Sequence, residues 1–142
     1  MMIWIRRLFQ ALIDSGSLRQ GVFPTSADAV AALAITIAAA AVAWTWGAWT
    51  QIVLAAGVTV EQQVVGFTLE NFVGGVTQGE VAIGFGTAPA GTEIGRFPIV
   101  GPVYILPRPI RVPAGNGIVA RYRTATGVAD TVDIKLITLT GF

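Results

Sequence analysis

Between Asp28 and Glu61 the chain carries no charge at all, and this run, Ala29–Val60, constrains the fold more than any other feature. It exceeds the roughly 20 apolar residues that cross a bilayer, so a transmembrane helix (over 29–56) is the first alternative to weigh. Arg6, Arg7 and Arg19 before it would suit a cytoplasmic N-terminus. Three features weigh against a span. Trp44, Trp46 and Trp49 fall within the run, whereas tryptophans of a spanning helix gather at the interfaces. Thr36, Thr45, Thr50 and Gln51 recur along it, and the flanking residues read as strand. The expectation is therefore a pleated segment whose apolar side chains meet a second sheet and neighbouring subunits.

Composition supports that reading. Only 12% of the 142 residues are charged against 54% hydrophobic, where about 25% charged is usual for a soluble domain. A surface this poor in charge suits a chain covered by other chains. Nine basic and eight acidic residues leave a net charge of +1, which gives no footprint for nucleic acid. Without His or Cys, the common general base, thiolate nucleophiles and the usual zinc sites have no residues to build them. Glu61, Glu70, Glu80 and Glu93 show no spacing for paired acid/base work, and Asp130 with Asp133 is a thin basis for a Ca²⁺ site. The reading is a non-enzymatic protein with no cofactor and no metal.

Residues 1–26 differ from the rest. Ile3, Ile5, Leu8, Phe9, Leu12 and Ile13 recur at helical spacing opposite Arg6, Arg7 and Gln10, which predicts a short amphipathic helix. Asp14–Ser17 breaks it, and Gln20–Ser26 reads as an extended linker through Pro24. This N-terminal arm either packs on its own domain or reaches a neighbouring subunit.

From residue 27 to 142 the pattern is one of short strands punctuated by Gly and Pro. Leu33, Ile35 and Ile37 permit a strand within Ala29–Ala41, though its alanines also suit a helix. Trp44–Ala55 has strand composition. Glu61–Phe72 places Val65, Phe67 and Leu69 on one face, and Glu80–Phe85 turns Val81, Ile83 and Phe85 inward. Glu93–Val100, Val103–Leu106 and Ile110–Val112 follow. Pro98, Pro102, Pro107, Pro109 and Pro113 place that region at a sheet edge or in extended connections. Ile118–Thr124 sets Ile118, Ala120, Tyr122 and Thr124 against Val119, Arg121 and Arg123; Thr131–Leu139 sets Val132, Ile134, Leu136 and Thr138 against Asp133, Lys135, Ile137 and Leu139. Joined by Ala125–Asp130, these two read as an antiparallel hairpin. Seven or eight strands without intervening helices predict an all-β antiparallel β-sandwich, jelly-roll-like if eight strands form two sheets.

Gly84-Phe85-Gly86 with Gly91 and Gly95 lacks the spacing, the helix and the lysine of a phosphate loop. Trp44, Trp46, Trp49 and Trp4 could make a carbohydrate-stacking platform, but such aromatics more often fill a core or an interface. Trp4, Leu8, Phe9, Trp44, Trp46, Trp49, Arg121 and Arg123 are the candidate interface residues.

Gly84–Glu93, Pro109–Gly115 and Ile118–Arg123, with Trp44-Thr45-Trp46-Gly47-Ala48-Trp49 upstream and the final strand Thr131–Leu139, resemble a pattern in small β-rich proteins of tailed bacteriophages. The resemblance covers Ala43 to Phe142. It implies a jelly-roll-like capsid decoration (cement) protein or another virion component, and it carries over no catalytic residues. The function expected on that basis is to bind the major capsid protein or another virion protein on the capsid surface as a homo-oligomer, a trimer for choice. The alternative is a receptor- or glycan-binding module of a phage tail or fibre.

Overall fold

A computed structural model describes residues 19–23, 35–74 and 78–140. The amphipathic helix expected over Met2–Ile13, with Trp4, Leu8 and Phe9, lies outside the described residues. Nine strands are present among those described: β1 (Arg19–Phe23), β2 (Ile35–Ala38), β3 (Thr50–Val53), β4 (Gln62–Val73), β5 (Gly79–Phe85), β6 (Thr92–Pro98), β7 (Val103–Val112), β8 (Ile118–Thr124) and β9 (Thr131–Thr140). A single 3₁₀ turn at Ala55–Gly57 is the helical content of that set, and among the described residues no helix is long and apolar enough to cross a membrane.

The strands form two antiparallel sheets. The first runs β1-β9-β4-β7, with β2 also on β9, so β1 and β2 share one flank of β9 end to end. The second runs β3-β8-β5-β6. The fold is an all-β sandwich with one strand more than the sequence count. That extra strand is Arg19–Phe23, whose extended character was legible but whose pairing with Leu136–Thr140 was not.

Alternation sets what faces the interior. Val132, Ile134 and Leu136 of β9 and Ile118, Ala120 and Tyr122 of β8 are all fully buried, the faces expected from their patterns. Phe67 of β4 ties the layers together. Its ring stacks on Tyr104 of β7 (centroids 4.5 Å apart, planes 8° apart) and meets Phe97 of β6 in the opposite sheet at 5.5 Å and 59°.

Three expectations need correction. β8 and β9 are not a hairpin: β8 pairs with β3 and β5, and β9 with β1, β2 and β4 in the other sheet. Each has an apolar inner face, and two such faces bury more by meeting across the core than by lying side by side. The link between them is turned inward at Asp130, which is 2% exposed; Thr124 and Thr126 hydroxyls donate to its carboxylate, and its carbonyl accepts from Ala39 N. Gly74 backs this link with φ +109, and any Cβ there would collide with the Asp130 carboxylate. Second, β4 changes phase. Both of its ladders skip Val65, a bulge that turns Val64 inward together with Phe67 and Leu69, and leaves Val65 only half-buried. Third, Trp44–Ala55 is strand only over Thr50–Val53. The tryptophans precede that strand in an irregular segment.

The proline region lies as anticipated. β6 and β7 are the outer strands of their sheets, and Leu106–Pro109 arches away from the β4 ladder between Ile105 and Ile110. Val103–Leu106 and Ile110–Val112, read as two strands, are one interrupted strand.

Candidate functional site

The side chains most unlike ordinary solvated surface lie on the outer face of the β3-β8-β5-β6 sheet. Because Ile118, Ala120, Tyr122 and Thr124 point inward, Val119, Arg121 and Arg123 point out. The ladder places Arg121 opposite Ala82 and Arg123 opposite Glu80 on β5, and on the far side Arg96 of β6 is also opposite Ala82, with Glu93 opposite Gly84. Three arginines and two glutamates therefore share one face around a small alanine.

Residues 39–49 fold over this face. The segment runs along the free flank of β8, where Trp44 N donates to Thr124 O (2.7 Å) and Gly47 N to Tyr122 O (2.9 Å). Trp44 adopts φ +56, a left-handed conformation that costs an L-residue about 1–2 kcal/mol. The Arg123 guanidinium donates to its carbonyl at 3.3 Å and helps hold it there. The three indoles then interleave with the guanidiniums. Arg121 Cζ is 4.3 Å from the Trp49 ring centroid and 4.8 Å from that of Trp46. Arg123 Cζ is 4.5 Å from Trp46 and 5.6 Å from Trp44, and Arg96 Cζ is 5.2 Å from Trp46. The order is Trp44, Arg123, Trp46, Arg121, Trp49, with Arg96 also on the middle ring.

Each arginine is also ion-paired. Arg121 reaches Glu93 at 2.8 Å, Arg96 reaches the other Glu93 oxygen at 3.0 Å, and Arg123 reaches Glu80 at 2.5 Å. The Arg121 hydrogen bond, reinforced by the charge of Arg96, holds the Glu93 carboxyl below the usual carboxylate range. Beneath the indoles, Val119 and Ala82 point outward yet are fully buried, so the ladder closes a small second apolar layer. Gly91 forms part of the close fit, since a Cβ there would come within 2.8 Å of the Trp49 ring and 2.7 Å of Val119. The loop bearing Gly91 is fixed by Gln51, whose carbonyl accepts from Ala88 N (2.9 Å) and whose amide reaches Val53 O, Ile118 O and Gly86 O at 2.7–3.2 Å.

Of the eight candidate residues, Trp44, Trp46, Trp49, Arg121 and Arg123 are brought together, and Trp4, Leu8 and Phe9 lie outside the described residues. The tryptophans are not sandwich core: Trp46 and Trp49 are half-buried on the outer surface, and Trp44 is exposed. Arg121 and Arg123 do not face Asp133 and Lys135, because those belong to the other sheet. Lys135 pairs with Glu70, and Asp133 accepts from Thr36 and Asn71. Glu61 pairs with Arg111, so all four glutamates are engaged with cations. Sequence reasoning missed Glu80, Glu93, Arg96 and Gln51. Asp130 and Asp133 turn to different sides and do not converge, and among the described residues no three His, Cys, Asp or Glu side chains cluster as metal ligands.

The acidic limb of stability follows from these pairs. Glu93, Glu61 and Asp133 all titrate below their ordinary values, Glu93 and Glu61 chiefly through arginine hydrogen bonds and Asp133 through those of Thr36 and Asn71. A depressed carboxyl stabilises the fold above its unfolded pKa and loses that contribution as pH falls through the folded one. Thermal melts should be flat above about pH 5 and fall steeply below about pH 4. Glu93→Gln should melt lower at neutral pH and show a shallower acid decline. An unchanged acid limb in that variant would show that the ladder's carboxylate is not coupled to folding.

The sequence matches no protein-family model and no curated protein.

Proposed function

We propose that this chain is a structural protein of a virus particle, a capsid decoration protein that docks on the shell as a homo-oligomer and stabilises it by bridging subunits. We further infer that its sandwich is a jelly roll. The strand pairings are nested, β2 with β9, β3 with β8, β4 with β7 and β5 with β6, and successive pairs alternate between the two sheets. That is the winding of one long hairpin into a sandwich, the arrangement of jelly rolls, which recur in viral capsid and lectin domains.

A fold alone does not select a function. The observation that carries the reading is the distribution of apolar surface. At one end of the β7-bearing sheet, Val100, Val103 and Ile105 are 86%, 59% and 73% exposed, and Phe72 and Val73 end β4 nearby. Large exposed apolar patches mark surfaces that another protein covers. The composition agrees, since charge is scarce and the glutamates are spent tying strands together.

The tryptophan ladder supports this reading over a glycan platform. A sugar stacks on an open ring face, whereas guanidiniums of the same chain lie against all three indoles. The ladder then serves as a stiff outer plate of the domain.

The test compares purified particles with and without this chain, the expected partner being the major capsid protein. Particles lacking it should burst at lower temperature and under milder osmotic shock, and adding the purified chain should restore resistance. Equal resistance of the two preparations would reject the proposal.

A further inference from the structure

Two of the edge strands, β6 and β7, are finished differently. β6 ends the second sheet, and its Glu93 and Arg96 are ion-paired with each other on the outer face of that sheet. β7 ends the first sheet with Val103 and Ile105, both largely exposed. Leu69 N donates to Pro102 O at 2.8 Å. Bonded and non-bonded pairs alternate along an antiparallel ladder, so Phe67 and Tyr104 form the next bonded pair. The N–H and C=O groups of Val103 and Ile105 therefore point away from β4, to the side on which no strand lies among the described residues. Pro107 bounds this strip on its C-terminal side, since it cannot donate.

We propose that a second copy of this chain occupies the edge, β7 against β7, antiparallel and two-fold symmetric about Tyr104. The strip is self-complementary. In this register Val103 of one copy faces Ile105 of the other, both residues carry backbone donors and acceptors without partners among the described residues, and the pairing closes hydrogen bonds at two symmetric positions. The apolar side chains adjoin on one face of the extended sheet, while both Tyr104 rings stay inward, each hydroxyl bonded to its own Pro98 carbonyl. Charge is compatible. Exposed Arg108 falls opposite Val100 of the other copy, so the two arginines lie at opposite ends of the pair and do not repel directly. This inference does not depend on where the protein resides, and it replaces the three-fold symmetry expected from resemblance with a two-fold contact.

The test is sedimentation velocity on the full chain over a wide concentration range. The wild type should form dimers or larger even assemblies. Val103→Lys and Ile105→Glu, each at an exposed position, should keep the wild-type melting temperature when measured as monomers and weaken association about tenfold or more. Mixing the two should restore pairing, because Lys at 103 of one copy then faces Glu at 105 of the other. Ile94→Lys on β6 should leave association unchanged. A chain monomeric at every concentration, a trimer indifferent to both β7 substitutions, or a mixture that pairs no better than its components would overturn the proposal.

Discussion

Trp46→Ala is expected to destabilise the fold by about 3 kcal/mol, a melting-temperature loss of roughly 10 °C for a domain of this size. The middle indole of the ladder contacts three guanidiniums, and each cation–π contact contributes about 0.5–1 kcal/mol at an exposed site and more where water is excluded. Truncation also opens the layer over Val119 and Ala82 and leaves Arg121 and Arg123 without the surface that orients them toward Glu93 and Glu80. Trp46→Phe should recover about half of the loss, since a smaller ring keeps one stacking face. The measurement is a denaturant titration followed by circular dichroism. A change under about 0.5 kcal/mol, the level of ordinary surface substitutions, would mean that the indoles are free to serve an outside ligand.

Phe67→Ala should cost more, about 4 kcal/mol. Its ring is fully buried, stacks on Tyr104 in its own sheet and touches Phe97 in the other, so its removal opens a cavity between the layers. Leu54→Ala, at a 64% exposed position, should change stability by less than about 0.5 kcal/mol. The contrast checks the sandwich directly. Similar losses in both variants would contradict the burial on which it rests.

The parts of the fold legible in the sequence are those governed by local alternation. β8 and β9 declare their inner faces because a one-residue slip would put Arg121 or Asp133 into the core. The prolines declare β6 and β7 as edges because they withhold ladder donors. What escaped was set by pairing between distant segments. Val64 and Val65 are chemically alike, so nothing local shows which one the bulge turns inward. The apolar faces of β8 and β9 fit a hairpin and a cross-core contact equally well, and the choice rests on their pairing with distant strands, β3 and β5 for one and β1, β2 and β4 for the other. The site was half visible. The two arginines and three tryptophans stand out as residue types, but Glu80, Glu93 and Arg96 join them only through the β5-β6 ladder, and Gln51 gives no sign that its amide serves four backbone groups. The tryptophan-rich segment has strand composition, yet it is held by two backbone bonds to β8 and by stacking on arginines, which composition does not encode.

The measurement that bears most directly on the central claim is a reconstruction of the native particle at a resolution that shows individual strands. It should reveal this sandwich at symmetry-related positions on the outside of the shell, with the apolar end of β4 and β7 covered by protein. Particles whose outer surface lacks the domain, or a domain that presents that apolar end to solvent, would contradict the account.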